Sequence, residues 1–135
     1  MKPSKIVIDV NIWVSYFIMS RAQELTILIA QNDLQVYTSP ELIAELKDVL
    51  SRSKLKKYLT EPIESYLTIH QQLTIGLNPN ITFDQSPDPK DNYLFDVAIE
   101  SEATHLVTGD KPLLNAKSLG GVKIISLADF KALFE

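Results

Sequence analysis

Four carboxylates, Asp9, Glu45, Asp91 and Asp110, occur at the entry or exit of an element or on the margin of its apolar face. Asp9 ends the aliphatic run Ile6-Val7-Ile8 and has no basic residue within three positions, so it calls for a cation or a positively charged partner. Brought to one edge of a sheet, four acids repel one another unless divalent ions sit among them. Oxygen donors without cysteine or a histidine pair select magnesium or manganese over zinc. Two such ions bridged by carboxylates suit in-line hydrolysis of a phosphodiester.

The elements that must position these acids are legible in order. Lys5–Trp13 opens with a short β-branched run, the pattern of a strand buried on both faces in a parallel sheet, with Asp9 at its carboxyl end. Asn11–Ile18 and Gln23–Gln31 are expected helices, Asn32-Asp33 a turn, and Leu34–Tyr37 a strand. Ser39-Pro40-Glu41 opens a helix with an N-cap, a first-turn proline and an acid at the positive end of the dipole. That helix buries Leu42, Ile43, Leu46, Val49 and Leu50, and Glu45 falls on the flank of the stripe beside Val49. There it either points into a cleft over the sheet or is an ordinary solvated flank residue.

Lys54–Tyr58 is a basic connector, Glu61–Ile75 a helix ended by Gly76, and Ile81-Thr82-Phe83 at most a brief edge strand. The loop from Ser86 is held extended by two prolines, and Asp91 starts a helix running to about Glu102. Asp91 projects onto the same side as Phe95 and Ala98, as a ligand-seeking acid or as a helix cap, whereas Asp96 lies roughly 140° away. Thr104–Thr108 is a strand with Asp110 just past its end, Gly120-Gly121 turns into Val122–Ile125, and Ser126 caps Leu127–Phe134. Strands alternating with helices predict an α/β fold with a central parallel sheet flanked by helices.

Composition narrows the classes. A chain of 135 residues, 45% hydrophobic and 22% charged, is read as one domain spanning 1–135 with a real core. No cysteine means no disulfide, no thiolate metal site and no cysteine nucleophile. Asp9 interrupts any signal-peptide pattern, and Ile12–Met19 is too short to span a bilayer, so a cytoplasmic protein without a membrane partner is expected. The net charge of −4 runs against nucleic-acid binding, which would need metal ions or a local basic patch. Arg52, Lys54, Lys56 and Lys57 form either that patch or a solvated helix end. His70 and His105 have no neighbouring nucleophile pattern and are read as structural.

Three stretches carry a resemblance: IDVNIWVS from Ile8, TSPELIAELKDVLSR from Thr38, and DPKDNYLFDVAIESEATHLVTGDKPLL from Asp88. Their order and spacing resemble the PIN (PilT N-terminal) domain family, most closely its branch of VapC-like ribonucleases, the toxin components of toxin–antitoxin systems. The resemblance implies a three-layer fold with a parallel sheet of four to five strands in the order 3-2-1-4-5. It implies a metal-dependent endoribonuclease using Mg²⁺ or Mn²⁺, with the acidic set on Asp9, Glu45, Asp91 and Asp110. Asp9, Asp91 and Asp110 would hold metal, with Asn11 and Thr108 as polar support. Asp96 and Asp88 rank second in the same block. An RNA substrate, a small antitoxin partner and a homodimer are implied as well. The sequence departs from the family at Val10, where threonine is frequent, and at Pro112, where aspartate is common.

Other chemistries fit less well. A haloacid-dehalogenase-type phosphatase wants a second aspartate two residues after the first, where Asn11 stands. A receiver domain wants a phosphorylated aspartate ending the middle strand and a lysine after the last one, and neither is convincing here. A PIN-like module that binds RNA or protein without cleaving is the alternative from a different class.

Overall fold

Ile6, Val7 and Ile8 are at most 1% exposed because strand β1 (Ser4–Ile8) lies in the middle of the sheet with side chains packed on both faces. The computed structural model describes residues 3–80 and 82–134. After β1 come helices α1 (Val10–Ile18) and α2 (Ala22–Gln31), strand β2 (Leu34–Thr38) and helix α3 (Pro40–Leu50). A 3₁₀ segment (Ser53–Tyr58), helix α4 (Ile63–Leu73) and strand β3 (Ile75–Gly76) follow. A 3₁₀ turn (Pro89–Asp91) leads into α5 (Asn92–Glu100) and β4 (His105–Val107). Helix α6 (Lys111–Ala116), strands β5 (Ser118–Leu119) and β6 (Val122–Ile125), and helix α7 (Leu127–Phe134) complete the chain.

The sheet order is β3-β2-β1-β4-β6-β5, parallel except for the β5/β6 pair. The expected order 3-2-1-4-5 is therefore present from β3 to β6, and a sixth, antiparallel strand extends the edge. In β1, Ser4 pairs with Leu34 of β2 and Ile6 with His105 of β4. Trp13, Phe17, Phe95 and Phe130 are fully buried in one core with the β1 aliphatics.

Local differences from the sequence expectations have physical causes. The fourth helix ends at Leu73, and Ile75-Gly76 forms a strand because both residues pair with Tyr37 and Thr38 of β2. Thr82 and Phe83 are not in a strand, and Ile81 lies outside the described residues. Ile43 is only half-buried. Of α4's apolar stripe only Tyr66 is buried, along with His70. Gly120 and Gly121, both at positive φ (57° and 80°), form the two-residue turn that folds β5 back on β6. A Cβ at Gly120 would meet Ile99 Cδ1 at 2.9 Å and Phe83 Cε1 at 3.0 Å. The Ser39 hydroxyl accepts the Leu42 N–H at 3.2 Å, and Ser126 Oγ accepts the Asp129 N–H, as the two caps require.

Candidate active site

Four elements deliver acids to the carboxyl edge of the sheet. β1 ends in Asp9, whose backbone N–H bonds Val107 O at 2.9 Å and so locks the strand end against β4. Asp9 occupies the N-cap position of α1, yet its side chain makes no cap hydrogen bond. Its Oδ2 instead accepts the buried Thr108 hydroxyl at 2.7 Å. The same Thr108 oxygen accepts the Asp110 N–H at 3.1 Å, tying the ends of β1 and β4 together. Asp110 N-caps α6 through Oδ2, which accepts the Leu113 N–H at 3.1 Å. Asp91 stands at the N-cap of α5 without making a cap hydrogen bond, which leaves its carboxylate to the cleft. Glu45 comes from the second turn of α3, half-buried.

These side chains line a cleft of about 540 Å³ with Asn11, Glu41, Asp88, Lys90 and Tyr93. Among the described residues, six carboxylates thus face one cation, Lys90. Asp91 records that imbalance. Burial, then the charges of Asp9, Asp110, Asp88 and Glu45, push its pKa up to about 6. Burial also raises Asp9, with the Thr108 hydroxyl and the N–H groups of Asn11 and Val10 opposing the rise and the Asp110 charge adding to it. Tyr93 is raised above the usual phenol range by burial and by Asp9, Glu45, Asp91 and Glu41.

The donor set fits a hard divalent cation, since it offers carboxylate oxygens and neither thiolate nor histidine. A cation in the cleft would relieve the repulsion that raises Asp91. Among the described residues no three or more aspartate, glutamate, histidine or cysteine side chains stand together closely enough to hold a metal ion as they are placed.

Of the residues expected from sequence, Asp9, Asn11, Glu45, Asp91 and Asp110 line the cleft, and Thr108 lies directly behind Asp9 and Asp110. Asp88 also lines it, with Oδ1 engaged by the Lys90 N–H at 3.0 Å. Asp96 does not line it: its Oδ1 accepts the Phe83 N–H at 2.6 Å and anchors the preceding loop, because the helix turns it away from Asp91. Glu41, Lys90 and Tyr93 were not expected there. Glu41 precedes Glu45 by one helical turn, a spacing that could have flagged it.

His70 is buried, contacts Thr38 Oγ1 through Nε2 at 2.9 Å and meets the Trp13 ring edge-on at 4.4 Å. His105 lies beside another hollow, of about 630 Å³, at the amino edge of the sheet. Among the described residues Glu102 is the one carboxylate lining that hollow, whereas the acids cluster in the carboxyl-edge cleft. No helix among the described residues is long and apolar enough to cross a membrane.

A family model described as PIN domain matches residues 5–112, a span that contains all four acids of the expected set. An uncharacterized protein of Methanocaldococcus jannaschii is 33% identical over 117 residues, covering 84% of this chain and 75% of that protein. A solved chain of VapBC2 from Rickettsia felis, bound to a DNA fragment from their promoter, aligns with a TM-score of 0.61. The alignment covers 90% of this chain and 98% of that one at 16% identity, a likeness of fold.

Proposed function

The chain belongs to the PIN domain family, and from that premise we propose that it is an endoribonuclease dependent on Mg²⁺ or Mn²⁺, the toxin component of a toxin–antitoxin pair. The observation that carries this reading is the meeting of Asp9, Glu45, Asp91 and Asp110, from four separate parts of the chain, in one cleft. In this reading Asp9, Asp91 and Asp110 hold the metal. Bound there, a divalent ion supplies a nucleophilic water at neutral pH and neutralises the charge that develops on the phosphate.

The chain's own residues do the rest. Thr108 fixes the Asp9 carboxylate in one rotamer and favours its ionised form. The Leu113 N–H holds one oxygen of Asp110, Oδ2, in place. Glu45, across the cleft, ligates or orients the attacking water, and Asn11 at the mouth supports Asp9. Asp96 has no part in this site. Asp88 belongs to the rim, where its Lys90 contact shapes the loop before Asp91.

A small antitoxin partner blocking the cleft, association into a homodimer and a cytoplasmic location belong to the same proposal. The fold likeness to a VapBC2 chain supports the first. Incubating the purified chain with RNA in magnesium, in manganese and in excess chelator tests the reading. Metal-dependent internal cleavage is expected, abolished by chelator. RNA binding without cleavage under every metal condition would replace the nuclease with a non-cleaving interaction module.

A further inference from the structure

A phosphodiester strand entering this cleft meets six carboxylates, whose oxygens only accept hydrogen bonds and repel its charge. Metal offsets this at the scissile phosphate, but the chain itself has few groups with which to hold the strand. Among the described residues, the side-chain donors lining the cleft are Asn11, Lys90 and Tyr93. Asn11 and Lys90 are exposed at the rim. Tyr93 differs from both: its ring is packed against the core, so the hydroxyl is held in place at little entropic cost. Among the described residues that hydroxyl makes no hydrogen bond, although it shares the cleft with Asp9, Glu45 and Asp91. Nothing in the packing requires the oxygen, which a phenylalanine would lack.

We propose that Tyr93 is a substrate-binding residue whose phenol donates a hydrogen bond to a non-bridging phosphate oxygen of the bound RNA strand. This rests on the ribonuclease reading and names a contact within it. A neutral donor suits the position better than a cation. A lysine there would be captured by the surrounding carboxylates, whereas the Tyr93 hydroxyl bonds to none of them. A hydrogen bond from a phenol to an anionic oxygen is among the stronger ones available to a neutral side chain.

Tyr93→Phe removes the oxygen and keeps the ring, so thermal melts should match those of the wild type. Two measurements then bear on the contact: anisotropy of a labelled single-stranded RNA in calcium, and steady-state cleavage in manganese. The expected result is a Kd and a KM each raised about tenfold in Tyr93→Phe, with kcat changed by less than about threefold. Replacing the contacted oxygen with a methyl group, by scanning methylphosphonate linkages along the RNA, should weaken wild-type binding at one position and leave Tyr93→Phe unaffected there. Unchanged Kd and KM in Tyr93→Phe, with the wild type cleaving, overturns the assignment and leaves the nuclease reading intact. A wild type that binds RNA without cleaving it overturns the nuclease reading, and the anisotropy alone then decides Tyr93. A wild type that does not bind RNA overturns both.

Discussion

Thr108 donates its hydroxyl hydrogen to Asp9 Oδ2 at 2.7 Å, across 99 positions of chain. Both residues are buried, and this bond opposes the burial that raises the Asp9 pKa. Thr108→Val keeps the shape and deletes the donor, which should destabilise the fold by about 1–3 kcal/mol. It should also weaken metal affinity or cleavage about 10–100-fold, as loss of a group supporting a ligand does. Thr108→Ser should retain most of both. Denaturant midpoints and metal titrations of the pair check this; a Thr108→Val protein with unaltered metal affinity would remove Thr108 from the site.

Asp91 carries the second prediction. Its pKa in the folded chain, about 6, lies above the ordinary carboxylate value, so folding favours its protonated form. The associated stability is complete below the unfolded carboxylate pKa and is lost as pH rises through about 6. Without metal, Asp91→Asn should therefore melt a few degrees higher than wild type at neutral pH, with the gap closing in acid. Added manganese should reverse the order, because wild type gains ligand stabilisation that the variant lacks. Melting curves at two pH values, with and without metal, suffice. Lower metal-free stability of Asp91→Asn at neutral pH would contradict the repulsion.

Asp110 both caps α6 and lines the cleft, so the two roles need separating. Asn caps nearly as well as Asp, and Asp110→Asn should leave metal-free stability within about 0.5 kcal/mol of wild type. Cleavage should nonetheless fall by about 100-fold or more, since a full charge is lost from the metal's side of the cleft. Asp96→Asn, which weakens only the anchor to Phe83 N, should cost about 1 kcal/mol and little activity. A larger catalytic loss at Asp96 than at Asp110 would reverse the assignment.

His70 works in the opposite direction from Asp91. Burial lowers its pKa from 6.5 to about 4, and its Nδ1 finds no hydrogen-bond partner among the described residues. Folded-state stability from this group is complete above 6.5 and declines as pH falls toward 4, by up to about 3 kcal/mol. His70→Gln can keep a hydrogen bond to Thr38 and does not take up a proton, so its stability should vary less over that window. Urea unfolding of both proteins at neutral and mildly acidic pH gives the comparison. Parallel pH profiles would exclude His70 as the titrating group.

The long elements and the strand-end acids were legible because their signals are local. Ile6-Val7-Ile8 needs only its own run to announce a central strand, and Ser39-Pro40 and Ser126 announce their helices by capping chemistry. The two-residue strands were not legible, since two residues carry no periodicity. Ile75 looks like the last turn of α4 until Tyr37 pairs with it, and the Gly120-Gly121 signal marked a turn without revealing β5 on its near side. In the cleft, Glu41 passed as a dipole partner and Tyr93 carried no signal of its own. Their position depends on how α3 and α5 tilt over the sheet, which no single segment encodes. The Thr108–Asp9 bond is a pairing between distant strands, and its geometry exists only after β1 and β4 join.

That last dependence sets an order of events in time. β1 finds β2 about 30 residues downstream, through the Ser4–Leu34 register, but must wait for His105 before β4 can dock on its other side. Closing the longer loop costs only about 1 kcal/mol more in chain entropy, so the delay on a ribosome comes from synthesis rather than from thermodynamics. Until residues 108–110 have emerged, Asp9 has neither Thr108 to hold it nor Asp110 beside it. The acidic cleft is thus completed only once β4 and Asp110 have been synthesised, and a nascent chain that stops before them carries Asp9, Glu45 and Asp91 without either Thr108 or Asp110.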